Sequence, residues 1–177
     1  MQIVDISIIF FIAMLSYNKG VDLTNSEKVK YDSTQSVKIK GVHFSWHFDE
    51  DFLHCKVTAP TKGWVAIGFN KKNDLAGTNL IMAAAEKDFY KMDDRYIIAA
   101  ANHKSIIELG GSEGITKRFC QESNGVTKVH FSMHRSVNDK FHHELNEGES
   151  YFILLAYSNE DDFAHHSAMR TSIQIKL

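Results

Sequence analysis

Between residues 53 and 59 the chain alternates without a break: Leu53, Cys55, Val57 and Ala59 are apolar, and His54, Lys56 and Thr58 between them are polar. A period of two marks an extended strand with one face on a core and the other in water. The pattern returns over 125–133, where Thr127, Val129, Phe131 and Met133 share one face and Lys128, His130 and Ser132 the other. Four further runs, 63–69, 80–85, 96–101 and 151–157, are apolar on both faces, as strands covered on both sides are. Their length and their β-branched and aromatic content favour strands over buried helix. Turn-forming residues separate the runs at 49–51, 70–77, 110–114, 124–125, 146–148 and 159–162. This spacing suits about eight to ten short strands, and no i, i+3, i+4, i+7 stripe is sustained. The fold class is therefore all-β, and a closed two-sheet antiparallel sandwich is the economical arrangement.

At 177 residues there is room for one domain. A content of 44% hydrophobic and 24% charged residues excludes a disordered chain, and the formal net charge of -2, with no dense Lys/Arg cluster, speaks against nucleic acid as a partner. Residues 6–15 form a nearly unbroken apolar run, too short for a helix across a bilayer core of ~30 Å but of signal-peptide length. Residues 1–20 accordingly read as a signal peptide cleaved between Ser16 and Val21, 21–36 as a polar linker, and 37–177 as the folded domain. Asp5 and the lack of Lys or Arg before the run leave a buried N-terminal strand as the other reading. Export implies a secreted or periplasmic protein with no transmembrane segment in the mature chain. It would also permit a disulfide between the two cysteines, Cys55 and Cys120, which otherwise read as small buried hydrophobes.

The stretch Gly63-Trp64-Val65-Ala66-Ile67-Gly68-Phe69, a polar loop and then Gly77-Thr78-Asn79-Leu80 resembles the signature of the DOMON superfamily. Asp94, the Phe131/Arg135/Asp139 stretch, Ala156 ahead of His165-His166-Ser167, and Trp46 follow the same pattern over residues 37–177. The resemblance implies an Ig-like sandwich of about ten antiparallel strands with a ligand pocket at one side, in an extracytoplasmic protein. Some members hold haem b between Met and His ligands, as the cytochrome domain of cellobiose dehydrogenase does. Others are thought to bind sugars or to serve as accessory domains of monooxygenases.

For a haem, His166 matches the family's His ligand, and the candidate cofactor set is His166, His165, Met82, Trp64 and Arg170. The family's Met position reads Leu75 here, and leucine cannot ligate iron, so the second face is open, taken by Met82, or taken by another histidine such as His43, His54, His103 or His130. Strand parity from Ile173 and Ile175 would put His165 rather than His166 on the core side, unless a bulge intervenes. A zinc site is weakly indicated, because His142/His143 and His165/His166 are adjacent pairs that diverge on any strand. No nucleophile elbow, phosphate loop or zinc-protease motif is present, so the chain reads as a non-catalytic binding module. Haem-linked electron transfer with a redox partner protein is the favoured role. A carbohydrate-binding or purely structural domain without a metal is the alternative, with Tyr90, Tyr157 and Phe163 as stacking candidates, since Trp46 and Trp64 sit in apolar runs.

Overall fold

A computed structural model describes residues 34–86 and 89–177, so the leader expected over 1–20 and most of the linker lie outside the described residues. Eleven strands follow one another among the described residues: β1 (Gln35–Ile39), β2 (Val42–Phe48), β3 (Phe52–Ala59), β4 (Val65–Asn70), β5 (Asn79–Glu86), β6 (Phe89–Ala99), β7 (Asn102–Ser105), β8 (Ile115–Ser123), β9 (Val126–His134), β10 (Ser150–Tyr157) and β11 (Met169–Lys176). They form two antiparallel sheets, in the orders β1-β2-β3-β9-β8 and β11-β10-β4-β5-β6-β7. β1 starts at Gln35, ahead of the boundary expected at Val37, and the polar β7 carries no alternation to announce it.

The sheets pack through the faces that the period of two predicts. Phe44, Trp46, Leu53, Cys55, Val57, Val129, Phe131 and Met133 from the five-stranded sheet meet Val65, Ile67, Phe69, Ile81, Ala83, Tyr151, Ile153 and Leu155 from the six-stranded one. Strands β4, β5 and β10 are apolar on their other face as well, and there Trp64, Ala66, Leu80, Met82, Ala84, Ile97, Leu154 and Ala156 form a second buried cluster on the outside of the sandwich. This second layer is why those runs lack alternation.

The cysteines settle as buried thiols. Cys55 on β3 is opposite Phe131 of β9, and Cys120 on β8 is opposite Val129 of the same strand. With β9 between them the two are two strand spacings apart, about 10 Å, beyond the ~7 Å that a disulfide tolerates. Burial pushes the Cys55 thiol well above its ordinary pKa, and burial with the charge of Asp161 pushes Cys120 up to about 12.

A polar cluster ties the sheets together at one end. His142, in the β9–β10 connection, places Nε2 2.9 Å from Asp94 Oδ2 and Nδ1 2.9 Å from Asp139 Oδ1. Asp94 also accepts from Asn79 Nδ2 at 2.7 Å and from the Gly114 amide, just before β8, at 2.9 Å. Desolvation works against charge on His142, but the two carboxylates outweigh it and raise its pKa. Asp139 is likewise opposed by desolvation, yet the Ser112 and Phe141 amides and His142 bring it down to about 2.

Candidate functional site

Even-numbered positions on β4, β5 and β10 point away from the main core, so the floor of the outer face is set by residues 64, 66, 80, 82, 154 and 156. Trp64, Ala66, Leu80, Met82, Ile97, Leu154 and Ala156 line a cavity of about 570 Å³ there. The segment between β10 and β11 supplies one wall through Asp162, Phe163, Ala164, His165, His166 and Ser167, and the β6–β7 hairpin supplies another through Ala101 in its turn and Asn102 and His103 at the start of β7. Leu75, Arg95 and Arg170 complete the lining.

Backbone contacts hold the wall segment against the sheet. The Trp64 amide donates to Glu160 O at 2.9 Å and the Ser158 amide to Trp64 O at 2.9 Å, while the Thr61 hydroxyl donates to Ser158 O. Gly63 makes this approach feasible, because a Cβ there would lie 2.5 Å from the backbone N and O of Glu160. Gly68, on the floor side of β4, is filled in the same sense: its Cβ would meet Thr78 Cγ2 at 2.4 Å. Thr78 is in turn held by Asn70, whose Nδ2 donates to Thr78 Oγ1 at 3.1 Å and to Asp74 O at 3.0 Å.

Electrostatics divide the cavity into an apolar floor and a polar mouth. Arg95 is fixed by Asp93 at 2.7 Å and donates from Nε to His103 Nδ1 at 2.8 Å. Burial and the Arg95 charge lower the pKa of His103, which is therefore the neutral imidazole with its proton on Nε2. His165 faces Asp162 at 3.4 Å in an exposed pair. Phe163 carries Lys91 Nζ at 4.4 Å from its ring centroid and Arg95 at 6.0 Å. Trp64 Nε1, like Trp46 Nε1 in the main core, is buried without a hydrogen-bond acceptor among the described residues.

All five residues of the candidate set, Trp64, Met82, His165, His166 and Arg170, line this one cavity, and so does Leu75. His165 and His166 precede β11, which starts at Met169, so strand parity does not govern them. Trp46 is in the main core, as expected, whereas Trp64 belongs to the outer cluster. Of the alternative histidines, His103 reaches the cavity, whereas His43, His54 and His130 lie on strands of the other sheet. Among the stacking candidates, Phe163 lines the cavity, Tyr90 donates from its hydroxyl to Arg118 O at 2.7 Å, and Tyr157 packs against the main core. Sequence reasoning missed Arg95, whose place beside the cavity follows from its pairing with Leu80 across β5–β6.

These features define the class of the protein as an antiparallel two-sheet β-sandwich with a lined cavity on the outer face of one sheet. Residues 38–158 match the sequence model of the DOMON domain, and the chain belongs to that family. None of the curated proteins compared with it matches in sequence. Among solved structures it is similar to a carbohydrate binding module of family 9 from Caldicellulosiruptor kristjanssonii, in complex with cellotriose, at 9% identity and a TM-score of 0.40 over 80% of this chain and 70% of that one.

Proposed function

We propose that the chain is a non-catalytic, extracytoplasmic binding module whose outer cavity takes haem b for electron exchange with a partner protein. The observation that carries this reading is the convergence of an imidazole from the wall, His166, and a thioether from the floor, Met82, on one alanine- and leucine-lined cavity. These are the two neutral donors that axial ligation of a haem iron uses. The small side chains of Ala66 and Ala156 leave space for a flat group, and Leu80, Ile97 and Leu154 exclude water from around it. Arg95 and Arg170 bring guanidinium groups to carboxylates at the edge of such a ligand. When bound, the haem supplies a one-electron couple. Leu75 fills the position of the family's Met and contributes apolar surface only.

A spectral titration of the purified chain with haemin tests the reading. A saturable Soret shift is expected, lost or altered in His166→Ala. Met82→Leu should convert a low-spin spectrum to a high-spin one that takes up CO. A wild-type protein that leaves the haemin spectrum unchanged overturns the haem reading. Carbohydrate is the second reading, favoured by the polar mouth of Arg95, Asn102, Asp162 and Arg170 beside Phe163. Binding on a sugar array, abolished by Phe163→Ala, would then take its place.

A further inference from the structure

Five of the ten histidines lie on the outer face of the five-stranded sheet, on the opposite side of the sandwich from the cavity. Register fixes the arrangement. One row across the sheet reads Lys38, His43, Thr58, Lys128, Gln121, and the next reads Ser36, Ser45, Lys56, His130, Phe119. A third reads His47, His54, Ser132, Thr116, and a fourth pairs Phe52 with His134. Each five-residue row is about 19 Å long at the usual strand spacing. No strand position in these rows is a carboxylate. Asp49, in the β2–β3 turn, is the acid in contact with the face, 2.7 Å from His54 Nε2, with Glu50 and Asp51 beside it in the turn. Lys117, at the β8 bulge, adds a further cation over the Phe52 ring at 5.5 Å.

On these grounds we propose that this face is a docking surface for an acidic polysaccharide, engaged more tightly as the pH falls below neutrality. The proposal is independent of what occupies the cavity. Lysines in adjacent rows supply charge, Ser45, Thr58, Thr116 and Gln121 supply hydrogen bonds to hydroxyls, and Phe119, 41% exposed, offers a ring to a sugar's C–H face. The aromatics lie within a polar field rather than forming an apolar stripe that could insert into a membrane, which separates this surface from a lipid-binding one. Imidazole is the side chain that gains charge between pH 8 and 5. Around the histidines, His43 has Lys38 and Thr58 beside it, His47 stacks on His54 at 4.5 Å, His54 contacts Ser132 and Asp49, and His134, its ring 4.5 Å from that of Phe52, lines an edge hollow with Glu50, Asp51, Arg135 and Glu144. His130 is held below its ordinary pKa by burial and then by Lys56 and Lys128. An arriving sulfate or carboxylate offsets that repulsion, so binding and proton uptake reinforce each other.

The full chain is tested with fluorescent heparin oligosaccharide at pH 5.5 and 7.5 over a salt series. Binding at least tenfold tighter at pH 5.5 is expected, weakening steeply with salt. The double variant Lys56→Glu, Lys128→Glu should weaken it a further tenfold or more, at an unchanged melting temperature. Lys38→Gln with Lys128→Gln, which adds no acid, should act in the same direction and serves if the reversal variant fails to fold. No binding at pH 5.5, binding indifferent to pH, affinity untouched by both variants, or tighter binding to phosphatidylserine vesicles than to heparin would each overturn the proposal.

Discussion

The two outer faces of the sandwich obey opposite rules although they flank one core. On the six-stranded sheet Ala66, Leu80, Met82, Ala84, Leu154 and Ala156 of β4, β5 and β10 point outward with Trp64 just ahead of β4, and a connecting segment folds against them to make a cavity. On the five-stranded sheet the outward positions of β2, β3 and β9 are His, Lys, Ser and Thr, with an aromatic at Phe52, and they face solvent or one another. The difference teaches where enclosed space arises: strands that are apolar on both faces need a second cover, and the gap beneath that cover becomes a cavity, whereas a polar outer face stays open.

The largest expected effect comes from the polar cluster joining the two sheets. His142→Ala leaves Asp94 and Asp139 without their cation, and removing one partner of such a buried set costs about 3–5 kcal/mol. Urea denaturation at pH 6 measures it, and a loss below 1 kcal/mol would mean that hydrogen bonds to Asn79 and Gly114 suffice for Asp94. The pH dependence follows from the signs. His142 has a raised folded pKa, so its stabilisation is complete below the unfolded value of 6.5 and is lost as pH rises through the folded one. Asp139 has a lowered one, so its share is complete above 3.8 and is lost as pH falls toward about 2. The wild-type contribution is therefore greatest between these limits, and the stability difference between wild type and His142→Ala should shrink on both sides of that window.

The contrast between the faces breaks next. Ala66→Lys sets an amine into the apolar floor and should cost about 3 kcal/mol, as an unpaired buried charge does. Gly68→Val forces Thr78 aside and should cost roughly 1–3 kcal/mol. On the other sheet, Lys56→Met is an equally large change of polarity at an exposed outward site and should stay within about 0.5 kcal/mol. Equal urea midpoints for Ala66→Lys and Lys56→Met would erase the distinction drawn between the two faces.

Much of this was readable in the sequence, for local reasons. Strict alternation at 53–59 and 127–133 assigns a face to each side chain, and those assignments match the core. Runs without alternation signalled a second cover, and the resemblance to the DOMON pattern drew Trp64, Met82, His165, His166 and Arg170 to one cavity. What stayed hidden depends on long-range register. β7 is short and polar, and so has no period to detect. The meeting of Asp94 with His142 spans 48 residues and three intervening strands, and an adjacent His142-His143 pair gives no hint of it, because the rule that neighbours diverge applies only to strands. The separation of Cys55 from Cys120 likewise depends on β9 lying between their strands, which only the sheet order reveals.

That separation has a consequence for how the protein is made. A sandwich with no cross-link to close does not wait for an oxidant or an isomerase, so its folding rate should be the same with and without dithiothreitol. With both thiols held in their neutral, shielded form by burial, the native chain also offers little to thiol-directed reagents or to mixed disulfides. Its biogenesis is thereby uncoupled from the redox state of the compartment in which it matures.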